Sequence, residues 1–169
     1  PVRPEQGYPM RLFNPGWEGN TSVKWLTQIK VTREPAQFRD ETSKYTDTMP
    51  DRKSLQFTLP MDVKSLITSP SGQMTVARNG VYRVNGIAWS GSGSIRRVEV
   101  SADGGSTWAD ALIDSQQLDK ALTRFSIPWQ WDGSPAVLQS RATDSTGNVQ
   151  PTREAVIAAK GTINRYHNP

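Results

Sequence analysis

Residues 125–131 have the sequence FSIPWQW and place an apolar side chain at every second position, at Phe125, Ile127, Trp129 and Trp131. Successive side chains of a β-strand point to opposite faces, so this spacing gives the segment one apolar face. An apolar face of this kind is typical of a half-buried strand. The stretch therefore predicts a strand that covers a hydrophobic core with one side only.

Similar short segments lie on both sides of this stretch, separated by turn sequences such as SPSG at 69–72 and DGSP at 132–135. Eight segments are candidate strands: Ser65–Ser69, Met74–Ala77, Val81–Ser90, Ile95–Ser101, Ala109–Ile113, Phe125–Trp131, Ala136–Asp144 and Glu154–Ala158. Residues 116–122 are a candidate helical turn. Seven or eight short strands at this spacing predict an antiparallel β-sandwich of immunoglobulin type over residues 61–169.

The composition agrees with an all-β class. The 169 residues include 12 prolines and 13 glycines, and 35% of them are hydrophobic. The net charge of +4 is spread among acidic residues, without the basic stripe that nucleic-acid binding proteins usually carry. The chain has no cysteine, which excludes disulfides, zinc ribbons and cysteine nucleophiles. No apolar run approaches the roughly 18 residues that a membrane-spanning helix needs, so no membrane span is expected.

The first 60 residues differ from the rest. Residues 1–31 contain two strand candidates, at 10–13 and 22–31, which are too few to bury a core alone and indicate the edge of a larger domain. Residues 32–60 are rich in charge and lack apolar periodicity, as expected for a connector between domains. We therefore predict three parts: an extended segment of a neighbouring domain at 1–31, a connector at 32–60 and the sandwich at 61–169.

Catalytic motifs are scarce. The single histidine, His167, lies three residues from the end, where it is more often a surface residue than a base or a metal ligand. No GxSxG elbow and no phosphate-binding GK[ST] sequence occurs. We therefore expect no catalytic residue and no metal ligand in this chain.

The six tryptophans have two interpretations. One interpretation is an aromatic platform for sugars, as on carbohydrate-binding β-sandwiches, formed by Trp17, Trp89, Trp108, Trp129 and Trp131. The alternation around Trp129 favours a role in the core or in a subunit interface, where aromatic side chains bury large areas.

Several stretches together resemble a known family. The sequence GIAWSGSGSIRRVEVSADGGSTW at 86–108 resembles the signature of the molybdopterin oxidoreductase dimerisation domain. Upstream, GYPMR at 7–11, PGWEGN at 15–20 and SVKWL at 22–26 resemble the end of that family's cofactor domain. Downstream, RATD at 141–144 and GNVQP at 147–151 match its late strand and turn. The chain is thus similar to the sulfite oxidase and sulfane dehydrogenase family over essentially its whole length.

The resemblance implies a reaction and a set of partners. Members oxidise a sulfur compound, sulfane or sulfite, at a molybdenum held by one pyranopterin, and a cysteine of a preceding domain ligates the metal. Because this chain has no cysteine, it is expected to be inactive alone. The implied partners are a second copy in a homodimer, a c-type cytochrome as electron acceptor and a sulfur-carrier protein as substrate. The implied location is the periplasm.

The same resemblance assigns candidate site residues. Gln6, Arg11 and the segment Ser22, Val23 and Lys24 fall where the family holds the pterin and its phosphate. Arginine, lysine and backbone N–H groups suit a phosphate, although single basic residues are more often members of surface salt bridges.

Two positions depart from the family pattern. Gln6 stands where sulfite oxidases carry histidine, which favours the sulfane dehydrogenase branch. Lys160 aligns with an arginine that shapes the anionic substrate pocket, and lysine keeps the charge but lacks the bidentate fork.

The alternative function, from a different class, is a free-standing immunoglobulin-like module that binds carbohydrate or protein.

Overall fold

The computed structural model describes residues 3–39, 46–72, 74–76 and 78–160. The backbone forms two compact units, one of Pro1–Met61 with Pro151–Pro169 and one of Asp62–Gln150. Nine strands and one α-helix lie entirely in the described ranges: β1 (Thr46–Thr48), β2 (Ser54–Gln56), β3 (Lys64–Ser69), β4 (Gly80–Trp89), β5 (Ile95–Ser101), β6 (Ala109–Asp110), β7 (Leu112–Ile113), β8 (Thr123–Trp131), β9 (Gln139–Asp144) and α1 (Arg153–Lys160).

The unit Asp62–Gln150 is a sandwich of two antiparallel sheets, with strand orders β3-β4-β8-β7 and β6-β5-β9. The longest pairing joins β4 and β8, from Gly80 opposite Trp131 to Ala88 opposite Thr123. The predicted all-β, immunoglobulin-like antiparallel sandwich is confirmed. The predicted strand Phe125–Trp131 is part of β8.

The core of the sandwich follows from the alternation in β4 and β8. Alternate residues of β4 are buried, including Val84 and Ala88, and Phe125 of β8 is 3% exposed. The second sheet contributes Ile95, Val98, Val100 and Ala142. Gly86 lies directly opposite Phe125 in the pairing, where the ring occupies the space that a side chain at position 86 would take.

The predicted strand Ala109–Ile113 divides between the two sheets. Its first half, β6, pairs with β5, and its second half, β7, pairs with β8. Ala111 lies between the halves, packs against the core and donates its N–H to the Val98 carbonyl at 2.9 Å. One continuous segment therefore joins the two layers.

A buried carboxylate ties the end of β9 to the segment that follows β4. Asp144 is 1% exposed and accepts hydrogen bonds from the Ser90 hydroxyl at 2.7 Å and from the Thr146 hydroxyl at 2.7 Å. The backbone N–H groups of Thr146 and Asn148 also donate to it, each at 3.0 Å. These donors compensate the cost of burying the charge.

The other unit holds two 3-10 helices, Pro4–Gln6 and Gly19–Thr21, the β1–β2 hairpin and α1. The strands predicted at 10–13 and 22–31 are wrong, because these segments pair only around one isolated antiparallel bridge between Arg11 and Lys24, which is too short to form a strand. Residues 59–61 run beside residues 16–18, as the hydrogen bond from Met61 N to Gly16 O at 2.8 Å shows. The predicted connector at 32–60 contains the hairpin, and the proposed domain limits stay a prediction.

Three further expectations on secondary structure need correction. Glu154–Ala158 lies in α1, because residues 153–160 are mainly good helix formers and Thr152 accepts the N–H of Ala155 on its hydroxyl at 3.2 Å. Residues 116–122 contain a turn instead of a helical segment. Residues 74–76 are not in a strand, and Ala77 lies outside the described residues.

In the described part of the chain, no helix has both the length and the apolar character to span a membrane.

Candidate functional site

The segments around Arg11 and Lys24 lie side by side in antiparallel orientation. Leu12 N donates to Val23 O at 2.9 Å, and Leu26 N donates to Met10 O at 3.2 Å. This pairing places Arg11 directly opposite Lys24. Two basic residues that are 13 positions apart in sequence thus become neighbours on one exposed strip.

A tight turn packs against this pair of segments. Residues Pro4–Gln6 form a 3-10 helix, and the N–H of Gly7 closes it by donating to Pro4 O at 2.9 Å. The Gln6 side chain folds back, and its Oε1 accepts the N–H of Arg3 at 3.2 Å. The Gln6 side chain therefore caps the turn, and its backbone carbonyl group stays available to another donor.

Both basic side chains reach this turn, and we call Arg11 and Lys24 the cation pair. Arg11 Nη1 donates to Gln6 O at 3.1 Å and Nη2 donates to Ser22 O at 3.4 Å. Lys24 Nζ donates to Glu5 O at 2.5 Å. Neither residue forms an ion pair with a carboxylate within the described ranges, so the salt-bridge alternative finds no support there.

The remaining predicted residues of this cluster, Ser22 and Val23, hydrogen-bond to neighbouring backbone N–H groups. The Ser22 hydroxyl accepts the N–H of Asn14 at 3.4 Å, and the Val23 carbonyl holds Leu12. The structure therefore brings Gln6, Arg11, Ser22, Val23 and Lys24 together. Lys160 is the last residue of α1 and is half-buried. Gly161 and His167 lie outside the described residues.

The donors of the cluster fit a phosphate-bearing ligand. An ammonium group has three N–H bonds and a guanidinium group has five, so the cation pair keeps donors beyond those already used for carbonyl groups. Because no carboxylate pairs with either cation in the described ranges, both positive charges remain available to an anion. The same ranges hold no group of three or more His, Cys, Asp or Glu residues suited to a metal.

Large apolar side chains are exposed around the cluster. Tyr8, Phe13 and Trp25 are 58%, 69% and 58% exposed, and Ile29 and Val31 are 70% and 93% exposed. Such a concentration in one short stretch is typical of a surface that another body covers.

The tryptophans of the sandwich have intramolecular packing partners. Trp129 and Trp131 lie 6.4 and 6.3 Å from the Tyr82 ring, and 6.2 Å from each other. The Arg141 guanidinium stacks on Trp108 at 4.3 Å. These contacts favour packing over a sugar platform for the three tryptophans.

Sequence comparison finds two families along the chain. The oxidoreductase molybdopterin binding domain matches residues 1–39, and the Mo-co oxidoreductase dimerisation domain matches residues 56–169. Among solved structures, the crystal structure of the sulfane dehydrogenase SoxCD from Paracoccus pantotrophus is similar, with 52% identity and a TM-score of 0.93. That match covers 98% of this chain and 43% of the other.

Curated relatives are longer proteins. Mitochondrial sulfite oxidase from Rattus norvegicus is 30% identical over 171 residues, which cover 93% of this chain and 31% of the relative. A nitrate reductase [NADH] from Brassica napus is 29% identical over 178 residues, covering 90% of this chain and 20% of the relative. The chain thus spans at most about a third of these two relatives.

Proposed function

Because the chain belongs to the Mo-co oxidoreductase dimerisation domain family, we propose that it is the C-terminal part of a molybdenum-cofactor oxidoreductase that oxidises a sulfur compound. The observation that carries this proposal is the 52% identity to a sulfane dehydrogenase over 98% of the chain. We favour sulfane over sulfite as the substrate, because the chain is 52% identical to the sulfane dehydrogenase and 30% identical to the rat sulfite oxidase. The neutral amide at Gln6 supports the same choice.

The cation pair holds the phosphate of the pterin cofactor in this proposal. Arg11 and Lys24 donate to the anion, while the carbonyl groups of Glu5, Gln6 and Ser22 keep both side chains in place. The cofactor, when bound, supplies the two-electron redox chemistry. The cysteine that ligates its metal belongs to another part of the protein, since this chain contains none.

The other proposed partners follow from the family. The sandwich mediates a homodimer, a c-type cytochrome accepts the electrons and a sulfur-carrier protein delivers the substrate in the periplasm. Lys160, which carries one positive charge, lines the pocket that binds the anionic substrate. The exposed apolar residues around Trp25 pack against the remainder of the cofactor domain, because large apolar side chains left in water are costly.

We expect Lys24→Ala and Arg11→Ala to lower the molybdenum content of the complete subunit that carries this chain. Each variant loses charge-assisted hydrogen bonds worth about 1.5–3 kcal/mol, which corresponds to a loss of affinity of roughly ten- to a hundredfold. Elemental analysis of molybdenum per folded subunit measures the effect, and it requires no turnover assay.

The matched control is Lys53→Ala. Lys53 is a lysine of the same unit, 84% exposed in its side chain and paired with the nearby Asp51 at 3.4 Å. This variant should keep its molybdenum. Full occupancy in both Lys24→Ala and Arg11→Ala would overturn the proposed cofactor site.

We also expect the complete subunit to sediment as a dimer at about 10 µM, a concentration at which interfaces of ordinary affinity are filled. Leu112 and Val81 of the sandwich are 75% and 69% exposed, and burial against a second copy would remove apolar surface from water. A strict monomer in sedimentation equilibrium would contradict this part of the proposal, whatever the cofactor content.

A further inference from the structure

Gly7 has a backbone conformation and a position that other residues would not accept. Its φ angle is +100°, in the left-handed region, and the residue is buried at the end of the Pro4–Gln6 turn. Residues that have a Cβ atom rarely adopt this backbone conformation. The sequence shows the glycine as part of the family stretch, but it does not show what the glycine touches.

The space around Gly7 is occupied by the first carbons of the cation pair. A Cβ atom at position 7 would lie 2.9 Å from Arg11 Cβ and 3.2 Å from both Cβ and Cγ of Lys24. Contacts this short require the neighbouring atoms to move. The backbone of Gly7 therefore packs directly on the stems of both basic side chains.

The heads of the same two side chains are held by the residues that precede Gly7. Arg11 Nη1 binds the carbonyl of Gln6, and Lys24 Nζ binds the carbonyl of Glu5. Stems and heads thus contact one four-residue turn. Because both stems and both heads contact this turn, we expect a displacement of the turn to move both cationic heads.

We propose that Gly7 is a positioning residue, whose lack of a side chain sets the distance and direction of the cation pair toward an anionic phosphate group. The inference rests on the proposed cofactor site and adds a residue that acts through Arg11 and Lys24 without touching the ligand. This role of Gly7 differs from a purely structural one, because a change at Gly7 should affect cofactor binding through the cation pair alone.

The test is Gly7→Ala in the complete subunit, with molybdenum and pterin measured per folded subunit. We expect both to fall together by about tenfold, as for residues that orient the direct ligands of a bound group. Gly133→Ala is the matched control, since Gly133 also has a positive φ of +95° but has no atom within 4 Å of an added Cβ. This control carries the conformational strain without the steric contact and should keep its cofactor.

A mutant cycle separates positioning from simple destabilisation. In an Arg11→Ala, Lys24→Ala background, Gly7→Ala should cause little further loss, because the groups through which it acts are gone. Independent, additive losses would overturn the positioning role. Full cofactor content in Gly7→Ala, combined with loss in Lys24→Ala, would also overturn it while leaving the proposed function intact. Full content in the Arg11 and Lys24 variants themselves would refute the proposed site instead.

Discussion

Gly86→Ala is expected to destabilise the sandwich by about 3 kcal/mol, because it forces extra volume into a filled core. Gly86 is buried in β4, and an added Cβ atom would overlap the Phe125 ring and the carbonyl oxygen of Leu66. The ring can shift, but the carbonyl oxygen belongs to the paired strand β3 and can move only with its backbone. Urea unfolding of the chain, followed by tryptophan fluorescence, measures the loss.

A control and a rescue sharpen this prediction. Gly72→Ala changes a glycine of the same unit that has open space around it, so its unfolding midpoint should stay near the original. Phe125→Leu in the Gly86→Ala background removes the outer ring atoms and should return part of the lost stability. An unchanged midpoint in Gly86→Ala would show that the contact between position 86 and the ring does not limit packing.

Asp144→Ala should cost a similar amount, about 3 kcal/mol, because it leaves several buried donors without an acceptor. The carboxylate receives the Ser90 hydroxyl and both the hydroxyl and the N–H of Thr146. Asp144→Asn keeps the shape and one acceptor oxygen, so it should lose less. Equal stability of Asp144→Ala and the parent chain in chemical unfolding would refute the assigned role.

The same residue makes stability depend on pH. Burial by itself would raise the pKa of Asp144, but hydrogen bonds from Thr146, Ser90 and Asn148 outweigh it and lower the pKa from 3.8 to about 2. A carboxyl group whose folded pKa is depressed stabilises the protein above its unfolded pKa and loses that contribution as pH falls through the folded value. We expect this contribution to the free energy of unfolding to be about 2 kcal/mol above the unfolded pKa.

A comparison of the parent chain with one variant isolates this effect. The difference in unfolding free energy between the parent chain and Asp144→Asn should be larger at about pH 6 than at about pH 3, since the asparagine does not titrate. A difference that stays constant between these conditions would assign the pH dependence to other carboxylates.

The succession of short strand candidates and turn sequences predicts most of the sandwich. It places β5 at its observed bounds and finds β4 and β8 within two residues at each end. It does not reveal that residues 109–113 change sheets, because a two-residue strand is too short for a period to appear. It predicts a strand where the helix α1 lies, although the alanines at 155, 158 and 159 favour a helix.

For the candidate site, the sequence predicts the residues but not their contacts. The family stretches mark Gln6, Arg11 and the Ser22–Lys24 segment, and the structure gathers them in one cluster. Their partners are backbone carbonyl groups of Glu5, Gln6 and Ser22, which carry no signal in the side-chain sequence. The close approach of Gly7 is equally invisible, since it depends on tertiary contacts between segments separated by up to 17 positions.

The division of residues 109–113 between two sheets also bears on aggregation. A long open strand edge invites pairing with strands of other molecules. Here β6 and β7 are edge strands of only two residues each, one on each sheet. The edge of β9 is occupied too, because Gln150 donates its N–H to Ala142 O at 2.8 Å and accepts the N–H of Ala142 on its side chain at 3.2 Å. Two of the four edge strands of the sandwich are thus very short and a third is partly occupied, which are features that limit pairing with a foreign strand.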